Sequence, residues 1–273
     1  MTLLLPHGRS LRLGSPIPVM GIVNATPDSF SDGGAFATPE DAAEHGARLA
    51  AEGAAILDVG GESTRPGASA VAAQEEISRV VPVIAALRGR VAVPISVDTS
   101  KAGVAAAALE AGASIVNDVW GFQRDRELAR VVADSGAAAV LMHNRASVDP
   151  GLDVLADIIA FLSRSIDIAL AAGVAEAQLI VDPGFGFGKT PAQNLQLIRR
   201  LRELSALGRP VLLGVSRKST VGLITGQKVP AERVAGSLAA GLVGVMNGAA
   251  ILRVHDVAPH VQALQVLHAI GES

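Results

Sequence analysis

Eight short apolar runs recur along this chain, each followed by a longer stretch with helical spacing. They begin near residues 19, 56, 95, 115, 139, 179, 211 and 251. The stretches between them, 41–52, 72–87, 101–111, 125–135, 152–172, 191–204, 231–246 and 257–269, carry apolar positions three and four apart. Several meet a glycine at or just past their end, as at Gly53, Gly112, Gly136 and Gly173. Strands that read as continuous apolar runs are covered on both faces, as in parallel sheets. Eight strand–helix repeats over about 250 residues predict a (β/α)8 TIM barrel. A doubly wound open sheet shares the rhythm. The count of eight favours the barrel, as does the lack of a Gly-x-Gly-x-x-Gly turn after the first run. Residues 1–16 form a short N-terminal extension, expected as a hairpin or lid over the barrel bottom, and 1–273 reads as one domain.

Composition removes several classes of function. A formal charge of -3 and only one Trp, six Phe and no Tyr argue against a nucleic-acid binder, which needs a basic surface or stacking platforms. With no Cys, disulfides, thiolate metal sites and Cys nucleophiles are excluded. No uninterrupted apolar stretch is long enough to span a bilayer, and the early Leu3-Leu4-Leu5 run is broken by Pro6. The expectation is a soluble, cytoplasmic protein with no membrane partner.

Polar residues collect just after the runs, at the end where barrel active sites are built. For any one of them a turn or helix-cap role suffices, and Asp41, Ser100 and Thr190 are read as caps only. Caps do not explain Asp58, Asp98, Asn117 and Asp182, which directly follow apolar strand residues. Burying them unpartnered would cost several kcal/mol each. They must therefore pair with one another and with Arg or Lys, or face a ligand. Asp98, Asn117 and Asp182 suit a flat heterocycle with N–H edges. Lys218 can donate to a ring oxygen or nitrogen, and Arg253 can stack on a ring. Asn24, Arg65, Ser216 and His255 suit an anion, with Mg2+ possible at Asn24. The stretch ending Gly188-Lys189-Thr190 resembles a phosphate loop only in part, because Pro183 stands where a glycine is required. His143, a lone histidine ending an alanine-rich run, is assigned a structural role, and no multi-His spacing for zinc exists.

Taken together, five motifs resemble the dihydropteroate synthase family over about residues 17–270. They are the stretch from Asn24 to Gly34, the Glu62-Ser63-Thr64-Arg65-Pro66-Gly67 loop, the Asp182 to Lys189 stretch, Ser216-Arg217-Lys218-Ser219, and Arg253-Val254-His255-Asp256. The resemblance implies a homodimeric barrel that joins 4-aminobenzoate to 6-hydroxymethyl-7,8-dihydropterin diphosphate, with Mg2+ as cofactor. It implies Asp98, Lys218, Arg65 and His255 as catalytic residues. Pterin contacts would be Asp98, Asn117, Met142, Asp182, Gly186, Lys218 and Arg253. The 4-aminobenzoate would meet Thr64, Arg65, Pro66, Phe187 and Ser219. Diphosphate would meet Asn24, Arg65, Ser216, Arg253 and His255, with Asn24 the metal ligand. The 64–69 stretch lacks the extra aromatic of sulfonamide-insensitive relatives, which implies inhibition by sulfonamides.

Two alternatives stay open at this level. A pterin-binding methyltransferase domain shares the barrel and pterin cage but should lack the Thr64-Arg65-Pro66 and Ser216-Arg217-Lys218 pieces present here. A catalytically silent paralogue would bind pterin alone. The departure Met142-His143-Asn144 from the family's usual Met-His-Met touches the pterin wall. The 231–246 helix reads equally as an oligomer surface and as a buried barrel helix.

Overall fold

In the computed structural model, residues 1–25, 38–63 and 71–272 are described. A hairpin of β1 (Thr2–Leu5) and β2 (Arg9–Arg12) comes first. Eight parallel strands follow: β3 (Val19–Asn24), β4 (Ile56–Gly60), β5 (Ile95–Asp98), β6 (Ile115–Asp118), β7 (Ala138–Met142), β8 (Leu179–Asp182), β9 (Val211–Leu213) and β10 (Ala249–Val254). They close into a barrel in chain order, β10 pairing with both β3 and β9. The helices are α1 (Pro39–Ala51), α2 (Ala73–Arg88), α3 (Ala102–Ala111), α4 (Glu127–Ser135), α5 (Val154–Ala171), α6 (Pro191–Arg199), α7 (Ser219–Thr225), α8 (Val234–Met246) and α9 (Val257–Glu272). The expected (β/α)8 TIM barrel is the observed architecture.

The strands are apolar throughout because both of their faces are covered. Alternate side chains point outward, and Val23, Leu57, Val59, Val97, Val116, Leu141, Val181 and Leu213 pack against the helical ring. The other set points into the lumen. Its lower layers are Met20, Ile56, Ile115, Val140, Ile180, Leu212 and Ile251, and these join Leu3, Leu5, Leu11 and Leu13 of the hairpin in a second core. The N-terminal extension is therefore a hairpin whose leucines fill the barrel floor, as expected. Its backbone is tied down by Gln178 Nε2, which donates to Leu4 O at 2.6 Å.

The helix starts follow local chemistry. Thr38 and Thr190 each form a reciprocal capping box, with Asp41 and Gln193, and a proline occupies the first helical turn behind each. Asp153 accepts from Leu155 N and Ala156 N to start α5. Three sequence expectations are corrected. Ser100 does not cap α3; the Ala102 N–H is taken by Asp125 Oδ2 at 2.9 Å, from the following βα unit. The expected 191–204 helix breaks after Arg199 into a 3-10 segment, Leu201–Leu207. A short helix, α7, was not anticipated between β9 and α8. No single helix among the described residues is long and apolar enough to cross a membrane.

Candidate active site

The lumen-facing alternation that puts leucine-compatible side chains at the floor puts polar ones at the top. Two residues above Met20, Ile56, Ile115, Ile180 and Ile251 stand Ile22, Asp58, Asn117, Asp182 and Arg253, all on the same face of their strands. Register then sets their heights. Asn24 lies beside Gly60, Gly60 beside Asp98, and Asp98 beside Asn117, while Asp58 sits opposite Ser96, one layer lower. Met142 lies opposite Asp182 on the next pair of strands. Polar groups from separate βα units thus share one rim because the pleat period leaves them no other direction.

Arg253 joins the cluster. Its Nε donates to Asp58 Oδ2 and its Nη2 to Asp98 Oδ2, each at 2.6 Å. The Asn117 amide nitrogen donates to the same Asp58 oxygen at 3.0 Å. Asp58 is fully buried, and Asp98, Asn117 and Asp182 are buried too. Burial pushes the Asp98 carboxyl up to about 7, against the lowering effect of Arg253. Burial likewise raises Asp182, opposed by the Gly184 N–H and by Lys218. Arg253 is held firmly charged, because the attraction of Asp58 and Asp98 outweighs its own desolvation. Lys218 is half-buried as a residue, yet its ammonium end is enclosed, and desolvation pushes it down to about 8. One Asp98 oxygen, Oδ1, is buried without a hydrogen-bond partner among the described residues. A buried orphan acceptor beside an amide carbonyl is what a ligand with N–H edges would satisfy.

On the rim, the Lys218 ammonium lies 4.1 Å from the centroid of the Phe187 ring. Gly186 has a φ of +85°, and a Cβ there would come within 3.3 Å of the Lys218 side chain. The Gly186 N–H is held by Asn194 Oδ1 at 2.8 Å. Ser219 opens α7 and is exposed. Ser216 Oγ contacts His255 Nδ1 at 3.0 Å and accepts from His255 N, so the two predicted anion contacts lie side by side. Arg217 next to them donates to both Asp256 oxygens, at 2.6 and 3.0 Å. Asn24 ends β3 half-buried, beside Gly60 of β4.

Thr64, Arg65 and Pro66 lie outside the described residues, so their predicted contacts are not placed. The stem beside them is anchored: Lys101 pairs with Glu62 and, at 2.5 Å, with the buried Glu76, and Arg79 donates to Gly61 O at 2.8 Å. Sequence reasoning missed these anchors, and also Lys189, which proves to be buried. His143 has the structural role expected, with its imidazole fully buried against Asp157 and Lys189. Asp58 carried a signal, a carboxylate inside an apolar run, but its two partners were not legible.

This constellation defines a pterin-binding enzyme, and the pterin-binding enzyme family matches residues 20–255. More particularly, the chain belongs to the dihydropteroate synthases of that family. It is 44% identical over 263 residues to the dihydropteroate synthase of Clostridium beijerinckii, covering 96% of this chain and 97% of that one. A Xanthomonas albilineans dihydropteroate synthase solved with 4-aminobenzoic acid is similar at a TM-score of 0.93 and 50% identity, covering 97% of each chain. A second structure of the Xanthomonas albilineans enzyme, in complex with 7,8-dihydropteroate, matches at 0.89 and 48%, again over 97% of each chain.

Proposed function

We propose that this protein condenses 6-hydroxymethyl-7,8-dihydropterin diphosphate with 4-aminobenzoate to give 7,8-dihydropteroate and diphosphate. The observation that carries the reading is the convergence of Asp98, Asn117, Asp182, Lys218 and Arg253 at one rim, where a buried acceptor has no partner among the described residues. The pterin lies over these residues, between Met142 and Gly186. Ionised Asp98 and Asp182 stabilise positive charge on the ring as the bond from the methylene carbon to the diphosphate oxygen breaks. The electron pair leaves with diphosphate, which His255, Ser216, Arg253 and Arg65 attract. The arylamine nitrogen then bonds to the methylene carbon and loses a proton to solvent. Thr64, Pro66, Phe187 and Ser219 orient the arylamine, which needs placement more than deprotonation.

The donor set suits Mg2+ carried in with the substrate. Asn24 offers one hard oxygen, and no group of three His, Asp or Glu side chains suited to a metal exists among the described residues. Mg2+ is commonly held by one or two protein oxygens plus phosphates. Asn24 would hold it, and the ion would neutralise leaving diphosphate charge. We also propose a homodimer, supported by exposed Leu223 and Ile224 on α7 and Val243 and Met246 on α8. A cytoplasmic setting is part of the same reading.

The test is a coupled assay with the pterin diphosphate, 4-aminobenzoate and Mg2+. Diphosphate release that depends on the arylamine, with dihydropteroate identified by mass, is the expected result. Release without the arylamine, or none, overturns the reading.

A further inference from the structure

A buried lysine stands behind the rim, with contacts beyond the one to His143, and burial pushes its amine down to about 7. Lys189 is 6% exposed. Its Nζ donates three hydrogen bonds: to His143 Nδ1 at 2.8 Å, to Gly184 O at 2.8 Å and to Phe187 O at 3.0 Å. None of its direct partners is a carboxylate. Burying a cation this way is expensive, and an apolar side chain of similar length would fill the space at lower cost. The arrangement therefore has to do something that filling does not.

Its geometry indicates what that is. Two of the three partners are carbonyls of the loop that carries Gly186 and Phe187. The same loop is pinned at Gly186 N by Asn194, which in turn donates to Thr220 Oγ1 at 3.0 Å, at the start of α7. Phe185 is buried in the core, whereas Phe187 is half-buried, with its ring under the Lys218 ammonium. The third partner fixes the peg. His143 Nε2 lies 3.0 Å from Asp157 Oδ2, and Arg145 Nη1 donates to that same oxygen at 2.8 Å. With its Nε2–H donating to Asp157 Oδ2, the neutral imidazole presents its Nδ1 lone pair to Lys189. Burial and Lys189 hold His143 neutral by pushing its pKa down to about 4.

We propose, resting on the functional reading above, that Lys189 is a positioning residue for the arylamine half-site. Through the relay Asp157–His143–Lys189 it holds the Gly184–Phe187 loop so that the Phe187 ring stays against Lys218. The strand-borne pterin contacts Asp98, Asn117 and Arg253 are held by one another and by Asp58, not by Lys189. The selectivity between the two substrates distinguishes this from general loop stability.

The experiment compares Lys189→Met, His143→Leu and His143→Gln, the last keeping an acceptor and a donor. Lys189→Met is expected to raise KM for 4-aminobenzoate roughly tenfold or more and to lower kcat. Binding of the pterin diphosphate should change less, by about threefold at most, since of its contacts only Gly186 lies on the loop that Lys189 holds. His143→Leu should follow it and His143→Gln should recover most of the loss. In parallel, 19F NMR of fluorophenylalanine-labelled protein, with the Phe187 resonance assigned by Phe187→Leu, should show that resonance moved in Lys189→Met. If Lys189→Met does not fold, the two His143 variants decide, and equal behaviour of the pair overturns the proposal. Wild-type kinetics with an unmoved Phe187 resonance overturns it as well, as does an equal loss for both substrates. If the wild type lacks arylamine-dependent turnover, the functional reading falls. The resonance alone then decides whether Lys189 positions Phe187.

Discussion

The Asn117 amide nitrogen donates to Asp58 Oδ2 at 3.0 Å, and this single bond decides which end of the amide faces the pocket. With its NH2 committed below, Asn117 offers its carbonyl oxygen above, next to Asp98. The site therefore presents acceptors to its ligand, matched to N–H edges.

Replacing Asp58 by Asn should remove that choice, because the new amide can be donor or acceptor. It also withdraws the carboxylate from Arg253 Nε, a charged hydrogen bond worth about 1.5–3 kcal/mol. Pterin affinity in Asp58→Asn is expected to fall roughly tenfold to a hundredfold by that measure. Calorimetric titration with a pterin checks this, and unchanged affinity would mean that Asn117 is oriented by something else.

The pH dependence follows from Asp98 and Lys218. Asp98 is pushed up to about 7 and Lys218 down to about 8, burial being the main cause in both. Activity per pterin diphosphate should climb through neutral pH as Asp98 ionises, then drop above about 8 as Lys218 loses its proton. Because the folded-state value of Asp98 exceeds its ordinary 3.8, the stability it contributes is present below that value and is lost as pH rises through about 7. Kinetic pH profiles of wild type and Asp98→Asn test the first point, and the acidic limb should vanish in the variant. Urea melts across the same range test the second.

Gly184 has a φ of +68°, and a Cβ placed there would meet the His143 carbonyl oxygen at 1.9 Å. That oxygen is backbone and cannot step aside. Gly184→Ala should cost about 2 kcal/mol or more, from overpacking and the left-handed backbone together. A urea-midpoint shift too small for this would show that the two loops separate easily.

Asn24→Ala should raise the Mg2+ concentration needed for half-maximal diphosphate release, roughly tenfold or more for the loss of a direct oxygen ligand. Affinity for a pterin lacking phosphates should not change. Chelation of Mg2+ should abolish turnover in wild type and be reversed by adding it back. If the metal requirement of the variant equals that of wild type, Asn24 is not the ligand.

Sulfonamides should inhibit turnover in competition with 4-aminobenzoate. The check is the pattern of initial rates: raising 4-aminobenzoate should restore the full velocity, and a depressed plateau would refute the competition.

The barrel was legible in the sequence because burial on both faces of a parallel strand leaves an uninterrupted apolar signature, as in Leu179 to Val181. The rim was legible for a related reason, since Asp58 and Asp98 interrupt or end such runs. The pairings were not. Asp58 and Arg253 are 195 positions apart, and a sequence states that a buried charge needs a partner without saying which. Asp125 capping α3 was invisible for the same reason, because the cap comes from the next βα unit. Glu76 reads as one more charged helix residue, and only its contact with Lys101 explains its burial. The end of α6 at Arg199 follows no strong breaker residue, so the amphipathic pattern runs on past it into the 3-10 turn.

The leucines of the N-terminal hairpin make the barrel a flask stoppered at its base. Traffic therefore uses one mouth. The proposed heterocycle seat, at Asp98, Asn117 and Asp182, is more buried than the Phe187 and Ser219 positions on the lip. On the proposed reading, the bicyclic substrate arrives before the arylamine, and the finished conjugate withdraws pterin-last through the same neck.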